Sequence, residues 1–186
     1  MKMNLSEIID LLVFKGDEQY GGESISQLQH ALQCAFLAER ANESPALITA
    51  ALLHDIGHLI SEEYSDSDAS PSHKDDLHQY IAIPFLRPHF SEEVLGAIKF
   101  HVDAKRYLCF IDPLYWESLS PTSKHTLELQ GGVFQAKEAS AFIEQPFAAE
   151  AVRLRRYDDL AKVPQAVTPS LSYFREIASS VAQVRG

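Results

Sequence analysis

Apolar positions along most of the chain recur every three or four residues, the rhythm of helices and not of strands. Ile8, Leu11, Leu12 and Phe14 mark a helix over Leu5 to Phe14, with Ser6 as its expected cap, and Gly21-Gly22 then break the chain. From Ser26 to about Ala41 a long amphipathic stretch carries Leu28, Leu32, Ala35 and Phe36 on one side. Pro45 suits a first helical turn, and the nearly all-apolar run Ala46 to Leu53 predicts a buried central helix. Ser61 to Asp76 is rich in Ser and Asp, contains Pro71 and reads as a loop. Helices are expected over Asp76 to Leu86 and Ser91 to Lys105, then a turn-rich piece at Asp112-Pro113. Thr122 to Leu129 reads as a helix ended by Gly131-Gly132, followed by helices over Lys137 to Glu144 and Pro146 to Tyr157. Val163 to Ser170 holds two prolines and predicts a loop before a C-terminal helix. Without a convincing period-2 segment or an internal repeat, the expected fold is all-α, one domain over residues 1–186.

Composition narrows the function. With 186 residues, 46% hydrophobic and 23% charged, the chain is long and apolar enough to bury a core, which excludes disorder as its main state. Sixteen Lys and Arg against 26 Asp and Glu give a formal charge of -10, the wrong sign for a nucleic-acid binder. An anionic small substrate would need local cations. No apolar run reaches the ~18 residues of a membrane span, so no membrane partner is expected. Met1 to Glu7 lacks the basic-then-apolar order of a secretion signal, and two cysteines, Cys34 and Cys109, are too few for a disulfide framework. A cytoplasmic protein with reduced thiols, both read as small core residues, is the simplest expectation.

The feature that needs explaining is the set of eight His, several close to Asp. His54-Asp55 follows the apolar helix directly, where two polar groups are costly to desolvate unless something compensates them. A metal does so, and mixed imidazole and carboxylate donors suit iron, manganese or zinc. Asp55 has two oxygens and can bridge two metals. Gly57 is expected to turn the chain sharply and leave His58, four residues after His54, facing the same cavity. His30 lies on the amphipathic helix, His78 at a helix start, His101 within Ala97 to Val102, and Asp158 late in the chain. A single such His is most often a satisfied core residue. Three on three helices, with a late Asp, are better explained by one shared centre.

The order His30, His54-Asp55, Asp158 resembles the HD-domain superfamily, an all-α bundle whose helices project these side chains onto metal. Intervening His78 and His101 resemble the extra ligands of members with two metals. By that resemblance His30, His54 and Asp158 hold one metal, His78 and His101 the other, with Asp55 between. The segments Tyr20 to His30, His101 to Leu108, Thr126 to Gly132 and Arg155 to Asp158 are similar, in order and spacing, to the PhnZ-type phosphonate-cleaving oxygenases, including relatives specific for a trimethylammonio substrate.

The resemblance implies a mixed-valent pair of iron ions, Fe(II)/Fe(III), with O2 as co-substrate. The implied substrate is (R)-1-hydroxy-2-aminoethylphosphonate or its trimethylammonio analogue, cleaved to phosphate plus glycine or glycine betaine. Lys105, one helical turn after His101, and Arg155, three before Asp158, are the expected anion binders, with Ser123 and Thr126 as donors. His58 would hydrogen-bond substrate. Glu23 would attract the cationic nitrogen, or else act as a capping acid near Ser26. Tyr20 resembles a residue that fills an open iron position until substrate arrives. Trp116 and Tyr115 are read as a cation-pocket wall or as core. Arg106 and Arg156 are expected to point elsewhere, and the Ser61 to Asp76 loop is either a lid or solvated. His73 is a weaker alternative to His78, while His89 and His125 have no assigned role. The rival readings are an HD phosphohydrolase using the same ligands with a metal-activated water, a relative of the inositol oxygenases, and a non-catalytic regulatory domain.

Overall fold

The computed structural model describes residues 3–64 and 77–183, the side chains of residues 62–64 excepted. Among them are eleven helices: α1 Leu5–Phe14, α2 Gln27–Arg40, α3 Pro45–Leu53, α4 Ile56–Tyr64, α5 His78–Leu86, α6 Glu92–Ile111, α7 Pro113–Ser118, α8 Pro121–Leu129, α9 Ala136–Ile143, α10 Ala148–Leu160 and α11 Leu171–Ser180. The only β feature among the described residues is an isolated antiparallel bridge between Gln19 and Ser26. The fold is all-α, and no described helix is long and apolar enough to cross a membrane.

Local chemistry explains where the helices begin. The α1 cap is Asn4 and not Ser6: the Asn4 side chain accepts the Glu7 N–H at 2.9 Å, while the Glu7 carboxylate accepts the Asn4 N–H at 2.7 Å. Ser6 sits inside the helix and bonds Asp10 instead. Ser26 and Gln29 form the same reciprocal box at α2. Ser44-Pro45 and Ser120-Pro121 start α3 and α8 by pairing a capping hydroxyl with a proline whose missing N–H costs nothing there. Asp112-Pro113, expected as a turn, works identically: Asp112 accepts the Leu114 N–H at 3.0 Å and opens α7. Because no breaker precedes Pro113, α6 runs on past Lys105 to Ile111. It buries Leu108 and Cys109 against Tyr115, Leu119 and Leu127. Likewise α4 continues through Ser61 to Tyr64, where the polar pattern had suggested loop. The rest of that stretch, with His73, the expected helix start at Asp76 and the lid reading, lies outside the described residues.

The centre of the molecule is α3. Every residue from Ala46 to Leu53 is buried, as its unbroken apolar run predicts, so α3 is covered from all sides, by α2, α6, α10 and α11. Each fully buried Leu of this helix contributes roughly 1.5–3 kcal/mol over an exposed one. Ile8, Leu12, Leu86, Phe90 and Phe174 extend the same core toward both ends of the described chain. The long helix α6 lies across it and packs most extensively against α10. The ends and middles of these helices therefore face one another around a shared interior, and that interior is polar.

Candidate metal centre

Six residues, from four helices and the join between α3 and α4, meet in that interior. His30 comes from α2, His101 from the middle of α6, Asp158 from the last turn of α10 and His78 from the first position of α5. His54 and Asp55 occupy the two-residue join between α3 and α4. All six are buried, His54 completely. Asp55 lies between two groups. Its Oδ2 is 3.4 Å from His54 Nε2 and 3.7 Å from His30 Nε2; its Oδ1 is 3.2 Å from His78 Nε2 and 3.5 Å from His101 Nε2. Asp158 closes the first group, with Oδ1 3.5 Å from His30 Nε2 and Oδ2 3.8 Å from His54 Nε2.

The backbone fixes which ring nitrogen faces inward. His30 Nδ1 lies 2.9 Å from the Ala161 carbonyl, His54 Nδ1 2.9 Å from Ala51, and His101 Nδ1 2.7 Å from Ile98. A carbonyl only accepts, so each Nδ1 carries the proton and each Nε2 presents a lone pair. The His30 and His54 Nε2 atoms then oppose one another at 3.4 Å with no proton between them. The His78 and His101 Nε2 atoms approach to 3.0 Å. Asp158 Oδ1 is buried with no hydrogen-bond partner. Facing lone pairs and an orphaned carboxylate oxygen are unfavourable alone and become favourable around cations. With the His78 and His101 nitrogens gathered on the other side of Asp55, the donors fall into two groups that suit a pair of metal ions.

Protonation follows the same logic. Burial lowers the His30 and His101 imidazoles from 6.5 to about 4, so both rings stay neutral and ready to ligate. Burial alone would raise Asp55 and Asp158. At Asp55 the rings of His54, His101 and His78 together outweigh it, and at Asp158 the Arg155 guanidinium together with His54 and His30, so both carboxyls are held below their ordinary range.

Gly57 serves a different purpose from the sharp turn expected of it. It lies within α4, and a Cβ there would come within 2.0 Å of the His78 carbonyl oxygen. Its lack of a side chain lets α4 and the start of α5 touch, which sets His78 beside Asp55. His58 stacks on His78 with ring centroids 4.0 Å apart, and its ligating atom lies near those of Asp55 and His78. Tyr20 stacks on His30 at 3.8 Å and covers the opposite side. Burial, then Asp158 and Asp55, push its phenol well above the ordinary value, so it stays protonated.

A cationic region adjoins the first group. Lys105 Nζ donates to Thr126 Oγ1 at 2.8 Å and to the Ser123 carbonyl at 3.5 Å. Burial, reinforced by Arg155, lowers its pKa to about 7. Arg155 Nη1 pairs with Asp158 Oδ2 at 2.8 Å; Nη2 bonds Asp159 and reaches Ser123 Oγ at 3.5 Å. Much of the Arg155 charge is therefore matched by acids, and its direct effect is to orient Asp158. Glu23 accepts Ser120 Oγ–H at 2.6 Å and takes no part in the Ser26 cap, which uses Gln29.

Other expectations are redirected. Tyr115 is buried with its hydroxyl on Asp159, whereas Trp116 is exposed under Lys124, 4.5 Å from its ring; together they form no cation-pocket wall. Arg106 caps the end of α8 through the Gly131 and Gly132 carbonyls, and Arg156 is exposed. His89 bonds the Met3 carbonyl, and His125 is exposed. Cys109 is a core residue as expected. Cys34 is buried too, but its Sγ lies 3.5 Å from His30 Nε2, against the centre. The i, i+4 spacing from His30 was its sequence signal. Lys162 carried no signal at all: it follows α10 in a loop and reaches Ser123 Oγ at 2.9 Å.

Known proteins resemble this chain over most of its length. The HD domain model matches residues 28–140, a span that ends before Asp158. Hydroxymethylphosphonate dioxygenase of Gimesia maris is 39% identical over 176 residues, covering 94% of this chain and 87% of that protein. The glycine-betaine-forming 1-hydroxy-2-(trimethylamino)ethylphosphonate dioxygenase of Leisingera caerulea is 35% identical over 179 residues, 93% of this chain and 89% of that one. An uncharacterised protein of Acanthamoeba polyphaga mimivirus is 37% identical over 175 residues, 94% of this chain and 80% of its own.

Proposed function

The chain belongs to the HD-domain family, and on that premise we propose that it is a di-iron oxygenase that uses O2 to break the carbon–phosphorus bond of a 1-hydroxyphosphonate. The relatives are named for hydroxymethylphosphonate and for 1-hydroxy-2-(trimethylamino)ethylphosphonate; the candidate substrates here are these two and (R)-1-hydroxy-2-aminoethylphosphonate. Residues 1–186 act as one HD-type domain. The reaction inserts one oxygen atom of O2 into each product, phosphate and a carboxylate, which is glycine or glycine betaine for the nitrogen-bearing substrates. Hydrolysis is a poor alternative because carbon is a poor leaving group from phosphorus. A cytoplasmic setting is in keeping with the unpaired Cys34 and Cys109.

The observation that carries this reading is the Asp55 carboxylate, with one oxygen toward His30 and His54 and the other toward His78 and His101. His30, His54 and Asp158 would hold one iron, His78 and His101 the second, and Asp55 would bridge them. When bound, an Fe(II)/Fe(III) pair supplies the redox chemistry that these side chains lack. The chain does the rest. Lys105, Ser123 and Thr126 bind the phosphonate group, and Arg155 keeps Asp158 ionised and aimed inward. His58 hydrogen-bonds the substrate beside His78. The Tyr20 ring covers His30, keeps its proton and limits water access.

The test is phosphate release from all three substrates by iron-loaded protein, with and without O2. Phosphate formed only with O2 is the expected result. Turnover in strict anaerobiosis would exclude the oxygenase reading, and O2-independent phosphate release from a generic phosphate ester would support an HD phosphohydrolase instead.

A further inference from the structure

Among the described residues, Lys162 is the one cation at the site without a task in the proposed reaction. Its backbone is pinned on both sides to α2. The Ala161 carbonyl takes the His30 Nδ1–H at 2.9 Å. Gln33 holds Val163 twice, donating to its carbonyl and accepting its N–H, both at 3.0 Å. From this fixed base the ammonium reaches Ser123 Oγ at 2.9 Å and Glu23 Oε1 at 3.6 Å. The Lys162 and Glu23 side chains are only 13% and 17% exposed, so solvent screens the pair weakly.

The charge pattern around Ser123 gives this contact its meaning. Arg155 is matched by Asp158 and Asp159. Lys105 pairs with a hydroxyl and a carbonyl. Glu23 is the acid facing this region from the N-terminal side, and Lys162 already counters it. A substrate with no nitrogen leaves the Glu23–Lys162 pair intact and lays its phosphonate among Lys105, Ser123 and Lys162. A substrate with an ammonium group must bring a second cation to Glu23, against the repulsion of Lys162.

Resting on the phosphonate reading, we infer that Lys162 determines substrate class: through its contact with Glu23 it selects 1-hydroxyphosphonates without a cationic nitrogen over those that carry one. The residue acts on selectivity, so the readout is a ratio, which a general loss of stability or of phosphonate affinity does not move.

The experiment compares the parent protein with Lys162→Met and Lys162→Arg. Anaerobic calorimetry on iron-loaded protein gives Kd for hydroxymethylphosphonate and for (R)-1-hydroxy-2-aminoethylphosphonate, and O2-dependent phosphate release is measured in parallel. Lys162→Met is expected to shift the Kd ratio toward the amino substrate by about tenfold, the scale of ~1.4 kcal/mol from one partly buried charge pair. Lys162→Arg is expected to keep the parent ratio. Adding Glu23→Gln to Lys162→Met should cancel the shift. An unchanged ratio in Lys162→Met, or an equal shift in Lys162→Arg, overturns the inference. A shifted ratio without O2-dependent phosphate release upholds the role of Lys162 and overturns the oxygenase reading. Phosphate release with an unshifted ratio does the reverse.

Discussion

The two sides of the site are built on opposite plans. On the His/Asp side, backbone carbonyls hold the rings so that neutral donors face one another across Asp55, and the one described cation that meets this side, Arg155, pairs with Asp158 alone. On the Ser123 side, cations and acids are already interleaved: Arg155 with Asp158 and Asp159, Lys162 with Glu23. The first side is incomplete without added positive charge. The second is nearly balanced and exchanges partners when an anion arrives. A site that must hold metal permanently and substrate briefly gains from that difference, since a preformed donor set binds tightly while a self-paired one releases easily.

The sharpest way to break this contrast is His101→Ala. It should abolish O2-dependent phosphate release, by more than about 100-fold, and lower bound iron from two per chain toward one, measured by elemental analysis. Full activity would mean that His78 and His101 hold no second metal.

The next effect concerns protons. His30 and His101 sit at about 4 in the folded chain against 6.5 in the unfolded chain, because burial disfavours their charged forms. Between those values only the unfolded chain takes up protons. Chelator-treated protein should therefore lose stability as pH falls from 6.5 to 4, on the order of 3 kcal/mol for each ring. Urea titrations across that range check it, and a flat profile would contradict neutral, buried rings.

On the balanced side, Arg155→Met should cost roughly 3–5 kcal/mol of folding stability, because it strands the buried Asp158 and the adjoining Asp159. Thermal and urea unfolding measure this. Lys105→Met should leave the fold intact and raise KM for the phosphonate about 10- to 100-fold, the scale of one charge-assisted hydrogen bond. A loss confined to kcat would give Lys105 a part in chemistry instead of binding.

The two sides also differ in how far they could be read from residues. His54-Asp55 behind an apolar helix, with His30, His78, His101 and Asp158 spaced along the chain, stands out because a buried imidazole or carboxylate needs an explanation. Lys105, Ser123, Thr126 and Arg155 came forward only through resemblance and helical spacing from those ligands. Lys162 did not come forward at all, since a lysine in a loop after a helix is ordinarily solvated. The helix ends were misjudged where one proline was given the wrong sense: Pro113 starts a helix because Asp112 caps it. Gly57 was noticed for flexibility, when its value is the contact it permits between α4 and His78.

By itself the sequence determined the all-α class, the buried run Ala46 to Leu53 and the presence of a His/Asp centre, because periodicity and the cost of burying polar groups are local properties of the chain. Only the tertiary structure decided which nitrogen of each ring faces inward, that Asp55 stands between two donor pairs, and that Lys162 meets Glu23. The His30 orientation and the Lys162–Glu23 contact depend on groups more than a hundred residues apart, brought together by the packing of α10 on α2 and α6, and the place of Asp55 depends on helices that meet only in the folded chain.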